Sequence, residues 1–142
     1  MSAAPLPPYA RLLGLTLEED ADGSPVLVMP FGTDVLGRPG FLHGGAIAGL
    51  LEVAAVAALR HALAAEGDAR IKPVNVTVDY QRGGRDRPTR AAATIARLGT
   101  RIANVEARAW QDDPARPIAT ARVNFLLVRE PEVGRKAGET LS

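Results

Sequence analysis

Residues Phe41–Ala65 read FLHGGAIAGLLEVAAVAALRHALAA, and the fold follows from how this run must be covered. Between His43 and Arg60 the only ionisable residue is Glu52. A surface helix keeps a polar face, so a helix apolar on every side is expected to be buried. Ala46, Ala48, Gly49, Ala54, Ala55, Ala57 and Ala58 leave room for other backbone to approach it closely. A carboxylate inside such a run is costly to desolvate unless it is bonded or used, and that singles out Glu52.

Outward from the helix, the hydrophobic period changes from that of a helix to two. Upstream, Leu13, Leu15 and Leu17 alternate with Gly14, Thr16 and Glu18, and a second strand is expected over Val26–Phe31. The acidic turn Glu18–Ser24 makes the pair a hairpin, preceded by at most one helical turn near Tyr9–Leu13. The loop Gly32–Leu42 feeds a helix from Gly44 to about Ala65, closed by Gly67-Asp68. Downstream, Val74, Val76, Val78 and Tyr80 face one way and Asn75, Thr77, Asp79 and Gln81 the other. Further strands are expected at Thr89–Leu98, Arg101–Gln111 and Ile118–Val128, separated by turns at Gly99-Thr100 and Asp112–Pro117. Strands that return through short turns form an antiparallel sheet, whose apolar face must be covered. One buried helix wrapped by that sheet gives an α+β domain spanning residues 1–142. Residues 1–10 and 130–142 are expected to be peripheral, and the tail from Arg129 polar and frayed.

Composition narrows the function. With 17 Lys+Arg against 16 Asp+Glu among 142 residues, no general nucleic-acid binder is indicated. Cysteine is absent, which removes disulfides, thiolate metal sites and Cys nucleophiles, and is consistent with a cytoplasmic location. With two histidines and no thiol, no metal is expected, and His61 reads as a surface residue late in the helix. Met1–Gly14 has no basic segment followed by an apolar one, so no signal peptide is expected. Glu52, Arg60 and His61 interrupt the central run before it reads as a bilayer span, so no membrane partner is expected.

Two places carry chemistry. His43-Gly44-Gly45 opens the helix, where free N–H groups and the dipole favour developing negative charge and glycine admits a ligand carbonyl. The alternative is a glycine loop that merely turns a corner. Glu52 is either a nucleophile or a general base, or else an ordinary carboxylate facing solvent or an arginine. Eight residues separate Gly44 from Glu52, about 12 Å along a helix axis. Both must serve one carbonyl, each within about 3 Å of its atom, and one chain places them poorly. Two antiparallel copies of the helix, Gly44 of one facing Glu52 of the other, would bring them together in a homodimer. Arg82, Arg85, Arg87 and Arg90 gather near the loop after the first long strand and could neutralise phosphates, or form a solvated basic hairpin.

The pattern G-x-L-H-G-G-A-x-x-x-L-x-E, Gly40 through Glu52, followed by VNVTVDYQR, resembles the hotdog-fold acyl-CoA thioesterases of the phenylacetate-degradation and 4-hydroxybenzoyl-CoA type. The resemblance runs from Leu13 to about Val128. It implies a hotdog fold, with a central helix wrapped by a curved antiparallel sheet of five to six strands. It also implies dimers, with pairing into tetramers open to them, and hydrolysis of an acyl-CoA with CoA entering only as part of the substrate. Gly44 would give the oxyanion N–H, with Gly45 beside it and His43 shaping the loop. Glu52 would stand at the family's catalytic Asp or Glu. Two departures stand out. Gly37 replaces a common Asn, and Pro73 a common Ser or Thr, leaving Asn75 and Thr77 as the nearby polar substitutes. A hydratase pairing His43 with Glu52 on the same fold, and a non-catalytic acyl or aromatic ligand binder, are the rival readings.

Overall fold

The computed structural model of the chain describes residues 6–67 and 69–129. A short helix α1 (Pro8–Leu12) leads into β1 (Thr16–Glu19) and β2 (Pro25–Met29). A 3-10 turn (Thr33–Val35) precedes the long helix α2 (Gly44–Leu63), and β3 (Ala69–Tyr80), β4 (Thr89–Leu98), β5 (Ile102–Trp110) and β6 (Ala119–Arg129) follow. All neighbouring strands are antiparallel, in the order β1-β2-β4-β5-β6-β3. One helix against a six-stranded antiparallel sheet is the α+β hotdog arrangement expected from the sequence.

The helix and sheet approach closely because both contribute small side chains. Ala91, Ala103, Ala107, Ala109, Ala119 and Ala121 are buried on the sheet's inner face, as are Ala54, Ala55 and Ala58 on α2. Phe125, Val123, Val105, Leu50, Leu51 and Leu59 fill the remaining space and are almost wholly shielded from solvent. Close packing of this kind leaves few voids, so lost volume is felt as lost stability. Gly67, at φ +94°, turns the chain out of the helix into β3, and Asp68 lies outside the described residues.

Three local expectations are corrected. The hairpin's first strand begins at Thr16 rather than Leu13, because Gly14 and Leu15 donate their amides back to the α1 carbonyls of Arg11 and Ala10. Helix α2 is not buried all round: Ala48, Glu52 and Val56, spaced at i, i+4 and i+8, form a half-exposed stripe. Val74, Val76 and Tyr80 are exposed rather than packed in a core, since β3 is the last strand of the sheet. Pro73 has no N–H for the ladder, and the register with β6 shifts between Pro73 and Asn75, leaving Val74 59% exposed.

Of the segments expected at the periphery, residues 6–10 include Tyr9, half exposed, and Ala10, fully buried. Arg129 closes β6, its Nε donating to the Thr100 carbonyl at 3.2 Å, and residues 130–142 lie outside the described residues. Helix α2 is long and apolar enough to cross a membrane by length and composition. More than half of it is buried within this domain, which makes it the core helix.

Candidate active site

The first turn of α2 is built around His43. Its backbone is extended (φ −70°, ψ 133°) and its Nδ1 accepts the Gly45 amide at 2.8 Å, which makes it the helix N-cap. An Nδ1 that accepts carries no proton, so this bond selects the tautomer of the neutral ring with its hydrogen on Nε2. The His43 carbonyl accepts from Ala46 and Ile47 at 3.0 and 3.2 Å. Among the described residues, no acceptor faces the Gly44 amide. No acidic residue stands in the first turn to neutralise the positive end of the helix.

Tyr80, at the end of β3, completes this turn. Its hydroxyl donates to the Gly44 carbonyl at 2.8 Å. The Gly44–Gly45 peptide is therefore held at both ends, its N–H by His43 and its C=O by Tyr80. A Cβ added at Gly45 would lie 2.9 Å from His43 Nδ1 and displace the cap. The sequence offered no signal for Tyr80, which reads there as one residue of an alternating strand.

Glu52 lies two turns further along the continuous helix, about 12 Å from Gly44 along the axis. It is half-buried on the open stripe and has no hydrogen bond or ion pair among the described residues. Within one chain the structure does not bring Glu52 to Gly44. His43 is not paired with Glu52 either: it stands at the N-cap, nine residues and more than two helical turns before Glu52.

The loop before the helix and the basic loop after β3 dock on each other. Leu42 donates its amide to the Gly84 carbonyl at 2.9 Å, and Phe41 bridges to Arg85. Arg38 and Arg85 lie 4.1 and 4.6 Å from the centre of the Phe41 ring. Gln111 fixes the basic loop by accepting from the Arg85 amide and donating to the Arg85 and Arg87 carbonyls and to the buried Thr89 hydroxyl. An open cavity of about 390 Å³ lies there, lined by Arg82, Arg85, Arg87 and Arg116 with Asp112 and Asp113.

The four arginines singled out in the sequence are thus not equivalent. Arg87 pairs with Asp112 at 2.7 Å, and Arg90 makes a two-point contact with Glu18 at 3.2 and 3.4 Å, away from the cavity lining. Arg82 and Arg85 have no carboxylate partner among the described residues. Arg38 and Arg116 join them, and only the folded loops reveal those two.

Asn75 and Thr77 lie apart from the helix start. They pair with Asn124 and Arg122 on the face of the sheet turned away from α2. Asn75 accepts from Asn124, which accepts in turn from Asn104, giving an amide ladder across three strands. Neither side chain can orient a group on the helix side of its own chain. The other departure has a steric correlate: a Cβ at Gly37 would stand 3.0 Å from the His43 Cα, so the loop is closed too tightly for a side chain without movement.

Against known proteins, residues 35–126 match the acyl-CoA thioesterase N-terminal domain family, and the chain belongs to that family. Its class of chemistry is thioester hydrolysis. A protein from Chromobacterium violaceum is 36% identical, with 85% of this chain and 83% of that one aligned and a TM-score of 0.69. A Bacillus halodurans protein solved with CoA shares the fold at 24% identity, over 87% of this chain and 80% of that one, with a TM-score of 0.75. A phenylacetic acid degradation-related protein from Ralstonia eutropha does so at 22% identity, over 87% and 92%, with a TM-score of 0.74. No curated protein matches the sequence.

Proposed function

We propose that the protein is an acyl-CoA thioesterase whose two sites form between the α2 helices of a homodimer. The observation that carries this is the Gly44 amide, the one donor of the first turn left without an acceptor among the described residues, on a helix end held by His43 and Tyr80. A donor preorganised in this way suits the oxyanion that forms when a thioester carbonyl is attacked, a contribution of about 3–4 kcal/mol. Glu52 of the partner subunit supplies the second group. Its carboxylate either attacks the carbonyl carbon or takes a proton from the attacking water. In both routes the tetrahedral intermediate collapses to expel the CoA thiolate, a good leaving group.

The dimer reading is supported by the sheet edge. Strand β3 is twelve residues long and ends the sheet with its inner-face residues Val76 and Tyr80 exposed, beside the open stripe of α2. A long unprotected edge with apolar side chains is a template for another strand. An antiparallel β3–β3 pairing would cover it and set the two α2 helices side by side. The outer faces leave room for a dimer of dimers. Arg82, Arg85, Arg38 and Arg116 would meet the CoA phosphates, since the Phe41–Arg85 contact puts this basic cluster two residues from His43. Activity on acyl-CoA fits a cytoplasmic location.

The test is thiol release from a panel of short, long and aromatic acyl-CoAs. Wild type releases CoA, and Glu52→Gln, isosteric and without the charge, loses at least about 10³-fold in kcat while melting as wild type does. A fully active Glu52→Gln enzyme removes this residue from the reaction.

A further inference from the structure

We propose that the groove between α1 and the start of α2 receives the acyl group, and that Asp34 makes the enzyme select against acyl chains ending in a carboxylate. This rests on the reading that the Gly44 amide binds the thioester carbonyl. The groove, about 340 Å³, is walled by Tyr9, Leu12, Leu36 and Ala46. It also includes His43 and Gly45, the residues on either side of the oxyanion donor. A group attached to a carbonyl at Gly44 therefore has this groove as its neighbour.

Two arms leave that carbonyl, and the distribution of charge separates them. Among the described residues no lysine or arginine lines this groove, whereas four arginines line the cavity at the basic loop. The phosphate-bearing arm belongs with the arginines and the acyl arm with the apolar walls. Tyr9 and Leu12 are half exposed and 65% exposed, an unusual display of large apolar surface beside a helix end. Tyr9 can lie flat on α2 because residue 49 is glycine: a Cβ there would come within 2.6 Å of its ring. Asp34, in the 3-10 turn, is the only carboxylate lining the groove among the described residues. With no lysine or arginine beside it among the described lining residues, Asp34 repels a terminal carboxylate and tolerates an uncharged chain end.

Butanoyl-CoA and succinyl-CoA, equal in chain length and differing in terminal charge, test this through thiol release. We expect wild type to favour butanoyl-CoA by about tenfold or more in kcat/KM. The ratio should narrow by at least about fivefold in Asp34→Asn and further in Leu12→Lys, an exposed position where folding is not at stake. Glu106→Gln, the same loss of charge on the outer face of the sheet, should leave it unaltered. An equal ratio in all four proteins, or a wild-type preference for succinyl-CoA, overturns the groove assignment while leaving the thioesterase reading intact. Absence of thiol release from either substrate by wild type overturns both.

Discussion

The chemistry of this protein comes down to which polar groups are already engaged. His43 is spent on the helix cap, Asn75 on an amide ladder, and Arg87 and Arg90 on ion pairs. The Gly44 amide and the Glu52 carboxylate are left without partners among the described residues. Replacing Gly44 by proline isolates the amide: proline is well tolerated at the first helical position, and His43 already has the extended backbone that precedes one. A Cβ at that position would sit 3.5 Å from the Tyr80 ring, an ordinary contact. We expect Gly44→Pro to fold and to lose about 10²–10³ in kcat, read from steady-state thiol release. Tyr80→Phe keeps the ring but removes the bond to the Gly44 carbonyl. It should cost about tenfold in kcat with little change in KM, because the donor is loosened and not deleted. A KM effect alone would make Tyr80 a substrate contact.

Among the elements, α2 and β3 decide the most. Helix α2 carries both proposed catalytic groups on one rigid rod, which keeps them apart within a chain. Strand β3 carries Tyr80 at its end and presents the open edge. Its pairing is interrupted only at the Pro73 bulge, beyond which the register with β6 resumes for six residue pairs, Asn75 to Tyr80. A charge in the middle of that edge should block a second copy. Val76→Lys, at a site already 38% exposed, is expected to leave the monomer folded. Sedimentation should then show a monomer where wild type is a dimer, with thiol release lost alongside. A Val76→Lys protein that remains dimeric and active would put the interface elsewhere.

For the whole molecule, the decisive experiment is complementation. Glu52→Gln and Gly44→Pro are each inactive in a shared-site dimer, yet a heterodimer of the two holds one site with both groups intact. Unfolding and refolding an equal mixture should recover about a quarter of wild-type activity, since half the dimers are mixed and half of their sites are whole. A mixture no more active than its parents would mean that each chain completes its own site.

The fold was legible in the sequence because its signals are local. An apolar run of helical length, followed by period-two alternation and turn residues, fixed one helix and six strands to within a few residues, and β4 to both its ends. The glycine turn that opens α2 and the position of Glu52 within it were legible for the same reason: a helix start and a lone carboxylate in an apolar run are properties of neighbouring residues. Everything that depends on distant residues was decided by tertiary structure. The hydroxyl of Tyr80 meets Gly44 across 36 positions. Asn75 and Thr77 turn outward because the register with β6, reset at the Pro73 bulge, puts them opposite Asn124 and Arg122. Which arginines remain free depends on where Asp112 and Glu18 arrive. Alternation along a strand tells which residues share a face, but only packing against the helix determines which face is inside.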